Sequence, residues 1–264
     1  TLDYLSPAQL LLYAAFVSLF FLAGYQAMQG RLLSSFRITG RECLRSAIMG
    51  FLNPFGYYII LFEAYELLMA QEAVALNYIW PVVLVLLSIP VLKQKISLLS
   101  ILALLISFCG MLMIIFKGSL HDIEFSSPRG ILFASASSIL WASFWLINMK
   151  DKREEAAKLL VNFGFGFMYI LVYVLWTGTP LTFPQEGLFG GLYIGLFEMG
   201  ITFVIWLKAL KLSTTTAKVS NLVYISPFLS LVFVSLTVGE IIYWYTIAGL
   251  ALIVSGIVLQ RIVR

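Results

Sequence analysis

Charge is scarce in this sequence. Only 11% of its 264 residues are Asp, Glu, Lys or Arg, 61% are hydrophobic, and mean hydropathy is +0.97. That leaves too little polar surface to cover a water-exposed globule of this length. Histidine is scarcer still, with His121 alone. The two cysteines, Cys43 and Cys109, form no Cys/His cluster, so no metal site is recognisable. There is no phosphate loop and no nucleophile elbow. Enzyme chemistry is therefore unsupported, and no cofactor is expected. Cys43 falls in a loop and Cys109 within a helix, at depths too different for a disulfide. No cleavable signal peptide is visible, and the first residue is Thr rather than Met.

What the chain has in abundance is long apolar stretches. A bilayer core about 30 Å thick needs roughly 20 apolar residues per helix. Nine stretches qualify: Pro7–Gln29, Ala47–Leu67, Ala73–Leu92, Leu98–Phe116, Gly130–Met149, Leu159–Trp176, Gly187–Leu207, Val219–Val238 and Tyr243–Ile262. Pro7 suits a first helical turn. Pro81 and Pro227 fall inside spans, where each is expected to free a carbonyl and bend the helix. The one larger outer loop, Lys117–Arg129, carries His121.

Fifteen of the seventeen basic residues fall on alternate loops and ends: Arg31, Arg37, Arg41, Arg45; Lys93, Lys95; Lys150, Lys152, Arg153, Lys158; Lys208, Lys211, Lys218; Arg261, Arg264. The opposite loops hold only Lys117 and Arg129. Basic loops stay cytoplasmic. The expected class is thus an all-α polytopic membrane protein with nine transmembrane helices and a cytoplasmic C-terminus. The net charge of +4 is its basic rim and gives no reason to expect nucleic acid.

The chain also repeats itself at a spacing of about 145 residues. Gly50, Tyr58, Leu61 and Ala64 match Gly195, Phe203, Trp206 and Ala209. After a one-residue slip, Tyr78-Ile79-Trp80-Pro81 matches Tyr224-Ile225-Ser226-Pro227, and Ser100, Leu104 and Gly110 match Thr246, Leu250 and Gly256. The repeats are read as residues 1–118 and 128–264. The second has five spans; the first has four, because the partner of the Gly130–Met149 helix would precede residue 5. The expectation is a ten-helix, five-plus-five parent whose first helix is missing here. An odd number of helices per repeat inverts the halves. Inverted repeats are a device of secondary transporters, with the substrate held near the midplane.

Glu198 is the most unusual residue. Eleven positions past Gly187, it lies about 16 Å deep at 1.5 Å per residue. A carboxylate there is costly unless protonated, paired or wet. It is read as a proton-exchanging group or a contact for a substrate ammonium, against the plainer alternative of a neutral hydrogen-bonded carboxyl. Glu63 and Glu66 are read as wetted interface carboxylates. Asn77-Tyr78-Ile79-Trp80-Pro81 places an amide, two flat rings with polar handles and a proline in one run, enough for an amphipathic pocket wall. Asn221–Pro227 is its counterpart in the other half. Trp141 stands one turn from Ser137 on a helix rich in serine, where small residues usually allow close packing. Asn77, Tyr78, Trp80, Trp141, Glu198, Trp206, Asn221 and Tyr224 are the candidate lining of a midplane cavity between the halves.

These features carry a resemblance. The five-plus-five repeat, the Asn77–Pro81 segment, the Gly195–Ala209 stretch and the Asn221–Glu240 segment resemble the EamA-type drug/metabolite transporter superfamily over essentially the whole chain. The Asn-Tyr-Ile-Trp-Pro segment is similar to the branch containing aromatic amino acid exporters. The resemblance implies a ten-helix inner-membrane carrier that exports amino acids or similar metabolites, with the lipid bilayer and a small-molecule substrate as partners; the Glu198 reading adds protons as one option, with proton coupling, sodium coupling and facilitated diffusion left open. Glu198 departs from the aromatic exporters' pattern. A second reading, from a different class, is a non-transporting membrane partner or a truncated, inactive transporter, for which the missing first helix is the argument.

Overall fold

The computed structural model describes residues 5–119, 126–182, 184–238 and 243–262. His121 lies outside these. Among the described residues there is helix and no strand. Eight helical runs are long and apolar enough to cross a membrane: α1 (Pro7–Met28), α2 (Gly40–Leu67), α3 (Glu72–Leu92), α4 (Leu98–Ile115), α5 (Pro128–Lys150), α6 (Glu155–Trp176), α7 (Gly187–Leu212) and, at the C-terminal end, Trp244–Ile262. The ninth expected span, 219–238, is helical in three pieces: Thr216–Ser220, a 3₁₀ segment Asn221–Ile225, and α8 (Ser226–Val238). No piece reaches the length of a crossing helix. We call the C-terminal helix Trp244–Ile262 α9.

Local chemistry starts α1 where the sequence suggests and α2 seven residues before the expected Ala47. Ser6 caps α1 reciprocally with Gln9, and Pro7 occupies the first turn, where its missing N–H costs nothing. Thr39 and Glu42 form the same capping box at the start of α2.

Pro81 and Pro227 do mark interruptions, but neither sits in a helix interior. α3 breaks at Tyr78-Ile79 and resumes at Trp80, putting Pro81 in a first turn. Pro227 likewise falls in the first turn of α8, just after the 3₁₀ segment. Proline is tolerated there because first-turn N–H groups have no intrahelical acceptor. The sharper distortion is elsewhere. Within α2, the stretch Phe51–Gly56 is kinked, because Asn53 leaves helical geometry altogether, at φ −157° and ψ 125°. α7 carries a π-helical stretch, Ile194–Thr202.

The chain forms two compact units, and neither is one sequence half. One unites Thr1–Phe62 with Ile147–Ala209, the other Glu63–Leu146 with Leu210–Arg264. Each therefore takes helices from both of the expected repeats.

In the first unit α1 runs antiparallel to α6. Phe16 meets the Phe167 ring at 5.8 Å, and Gln26 Nε2 donates to Glu154 Oε2 at 2.6 Å towards the other end. Glycines let the two distorted helices, α2 and α7, approach closely. A Cβ on Gly50 would strike the Asn162 carbonyl and the Gly166 amide of α6. One on Gly195 would stand 2.5 Å from the Ala14 carbonyl and 2.6 Å from Val17 Cβ of α1.

In the second unit α4 and α9 pack antiparallel along their length. A Cβ on Gly110 would lie 2.5 Å from the Gly249 carbonyl, and one on Gly256 2.5 Å from the Ala103 carbonyl. Between them Ser107 Oγ donates to the Ile253 carbonyl at 3.2 Å. Small residues with a buried hydroxyl are the usual means by which membrane helices come close without a hydrophobic driving force. Val85, Leu104, Met111, Ala217, Tyr224 and Ile253 form the buried core of this unit.

Candidate functional site

The eight candidate residues divide between the units, six in the second and two in the first. In the second unit the break in α3 and the 3₁₀ segment 221–225 bring two tyrosines together. Tyr224, fully buried, donates its hydroxyl to the Tyr78 carbonyl at 3.4 Å. The Tyr78 hydroxyl shares a 3.0 Å hydrogen bond with Ser226 Oγ, and Phe108 covers the Tyr224 ring. Trp80 and Trp141 meet edge to face at 6.0 Å, and Trp141 continues to Trp145 at 5.6 Å. Aromatic pairs prefer this geometry because the positive ring edge meets a negative face. The result is a ladder of flat surfaces, with Trp80 and Trp141 half-buried.

Asn77 is half-buried, its Nδ2 at 3.5 Å from the Tyr65 hydroxyl. Asn221 is buried with neither its Oδ1 nor its Nδ2 hydrogen-bonded, and the Ser220 hydroxyl beside it is also buried and unpaired. Leaving such groups unsatisfied costs about 1–3 kcal/mol each. They stand at the interrupted start of the Ser220–Pro227 stretch. Ser137 and Ser138, by contrast, spend their hydroxyls on the Ala134 carbonyl, as packing residues do.

In the first unit Glu198 lies on the π-helical stretch of α7 and is exposed. The Tyr58 hydroxyl of α2 donates to its Oε1 at 2.9 Å. Trp206 is half-buried farther along the same helix. A π-helical turn inserts an extra residue and re-aims the side chains it carries, and such turns are frequent at functional sites.

Sequence reasoning missed Asn53. It stands at the kink in α2, fully buried, with neither amide atom hydrogen-bonded. The signal was available: Asn53 lies 145 residues before Glu198, the repeat spacing itself. At the expected repeat spacing, a polar side chain thus stands at an irregular stretch of helix in each place: a kink at Asn53 and a π-helical turn at Glu198.

Lys158 has a role that the sequence reading did not assign it. Counted with the basic rim, it is fully buried, and its Nζ donates to the carbonyls of Asn148 (2.8 Å) and Asp151 (2.9 Å) at the end of α5. The Asn148 carbonyl also accepts from the Asp151 amide at 3.3 Å, and a cation is well placed at this helix C-terminus. Beside it Arg153 grips Asp151, with Nη2 to Oδ2 at 2.6 Å, and reaches Ser46 Oγ at 2.9 Å. Burial pushes the Asp151 carboxyl up, but the hydrogen bonds from Arg153 outweigh it and hold the group below the usual carboxylate range.

Comparison with known proteins agrees with this architecture. Similar curated proteins include an uncharacterized transporter of Clostridium kluyveri, 24% identical over 64% of this chain and 56% of that protein. Another, from Archaeoglobus fulgidus, is 24% identical over 58% and 54%. The chain thus spans just over half the length of these two relatives. The uncharacterized transporter YyaM of Bacillus subtilis is 19% identical over 80% and 70%. A protein of known crystal structure has the same fold, with a TM-score of 0.81 at 20% identity, over 98% of this chain and 88% of that one. Residues 1–116 and 128–261 match the EamA-like transporter family, and the chain belongs to that family of multi-pass membrane proteins.

Proposed function

We propose that the chain is a secondary transporter that exports amino acids or similar small metabolites across the cytoplasmic membrane by alternating access. The observation that carries this reading is an exchange of contacts between equivalent positions of the two repeats. Ser107 touches Ile253, and Tyr224 touches Tyr78, each pair 146 residues apart. Leu19 lies beside Gly164, 145 residues away. Off these pairs the contacts swap: Gly110 against Gly249 answers Ala103 against Gly256, and Gly50 against Asn162 answers Gly195 against Val17. A two-fold axis running between antiparallel equivalent helices produces this pattern, and for membrane-crossing helices that axis lies in the membrane plane. Inverted repeats of this kind give a carrier two alternative arrangements of similar free energy.

Each candidate residue has a role in this reading. Trp80, Trp141 and Tyr78 offer flat surfaces for an apolar or aromatic side chain, while Asn77, Asn221 and Tyr224 offer hydrogen bonds to a polar backbone. Trp206 is an aromatic wall of the first unit. Glu198, held by Tyr58, is the charge-sensitive element, exchanging a proton or receiving a substrate ammonium. Glu198→Gln keeps size and hydrogen bonding but cannot ionise. Reconstituted into vesicles, this variant is expected to insert and fold normally while losing export or its pH dependence. Export at the parent rate at every pH would make Glu198 only a neutral hydrogen-bonding residue.

A further inference from the structure

We propose that the basic end of the first unit holds an anionic phospholipid, its phosphate among Arg31, Arg37 and Arg153 and one acyl chain along the groove between α1 and α6. Two cavities that adjoin at Ile38 motivate this. The first, about 210 Å³, is polar and is lined by those three arginines together with Gln26, Glu42 and Glu154. The second, about 480 Å³, is apolar; Phe20, Ala23, Phe36, Gly164 and Met168 are among its walls, and Ile38 lines both.

Charge in the polar cavity is unevenly committed. Glu154 Oε2 accepts from the Ala157 amide at 2.7 Å and from Gln26 at 2.6 Å, capping α6. Glu42 Oε2 accepts from the Thr39 amide and hydroxyl, both at 2.8 Å, capping α2. Among the described residues Arg31 and Arg37 make no ion pair, and Nη1 of Arg153 is buried without a hydrogen bond although its other nitrogens are engaged. Buried Gln26 leaves its Oε1 unpaired beside them, an acceptor for a headgroup hydroxyl. Donors thus exceed acceptors where a phosphate would sit. Arginine is suited to it, because its planar fork binds phosphate oxygens in pairs. A free inorganic anion would use only this cavity. The adjoining apolar groove calls for a ligand with an anionic head and a hydrocarbon tail, and basic pockets between membrane helices are typical headgroup sites. The groove is open because small residues floor it: a side chain added at Gly164 meets nothing nearer than Leu19 Cδ1 at 4.0 Å.

The test is native mass spectrometry of the purified chain in detergent. Phosphatidylglycerol, phosphatidylcholine and inorganic phosphate are added separately. The parent is compared with an Arg31→Gln/Arg37→Gln double variant and with Gly164→Leu, all checked for parental helicity by circular dichroism. The expected result is retention of one phosphatidylglycerol at least tenfold better than phosphatidylcholine, with a tenfold or greater loss in either variant. Equal retention of the two lipids would overturn the proposal. So would phosphatidylglycerol binding untouched by both variants, or by Gly164→Leu alone. Phosphate binding that matches phosphatidylglycerol in strength would also overturn it, since the site would then be one for a free anion.

Discussion

Asp151 shows how much a single polar group can hold together in this chain. It is buried in the turn between α5 and α6, gripped by Arg153, with Arg45 at 3.8 Å, while Lys158 binds its carbonyl. Because its folded pKa is depressed, its contribution is fully present above the unfolded carboxylate value of about 3.9 and is lost as pH falls through the lower folded value. Asp151→Asn is expected to lower stability near neutral pH by roughly 1–3 kcal/mol, the cost of a broken buried polar contact. It should also lose less stability than the parent between about pH 5 and pH 3. Thermal unfolding in detergent at both pH values checks this; identical acid sensitivity would remove Asp151 as a contributor. Sequence reading found Glu198 because an acid deep in an apolar run stands out. It missed Asn53 because one neutral amide beside a proline does not. It gave Lys158 no role beyond its charge because burial of a lysine against carbonyls has no signature in hydropathy.

At the scale of elements, most helices were legible because each needs only about 20 apolar residues between polar breaks, and those are visible in the sequence. The exception, 219–238, has the composition of a span. Hydrogen-bond geometry, which composition does not record, divides it into a short helix, a 3₁₀ segment and α8. The kink in α2 and the π-helical stretch in α7 were invisible for the same reason. Glycine spacing, in contrast, carried real information: Gly110 and Gly256, matched in the repeat, both sit where α4 and α9 touch. A methyl group on either would have to displace backbone carbonyl or neighbouring side chain. Gly110→Ala is expected to destabilise by about 1–3 kcal/mol through overpacking. Gly164→Ala, facing open space, should be neutral or slightly stabilising through helix propensity, by at most about 1 kcal/mol. Unfolding midpoints of the two variants check the contrast, and equal destabilisation would contradict the packing described.

For the whole molecule, the sequence offers a repeat spacing but not which helices pack into one compact unit. The sequence suggests two halves in series, whereas each compact unit combines helices from the N-terminal and C-terminal parts of the chain. Equivalent helices find each other across more than 140 residues, as Ser107 finds Ile253. The proposed topology puts Lys150–Arg153 and the C-terminus on the cytoplasmic side. A C-terminal reporter active only outside the cell would contradict it. The candidate residues were picked from residue type; the Tyr78–Tyr224 pair came together because two helix interruptions lie side by side, and the Trp80–Trp141 pair because the restart of α3 faces the unbroken α5, both tertiary facts. The central claim is that this fold moves a small metabolite by exchanging between two states. Counterflow tests it most directly: proteoliposomes loaded with an unlabelled aromatic amino acid are diluted into a trace of the labelled one. A carrier predicts saturable, transient accumulation of label that collapses at least tenfold in Asn221→Ala. Label that never exceeds equilibration with empty vesicles, across a panel of amino acids, would contradict the claim.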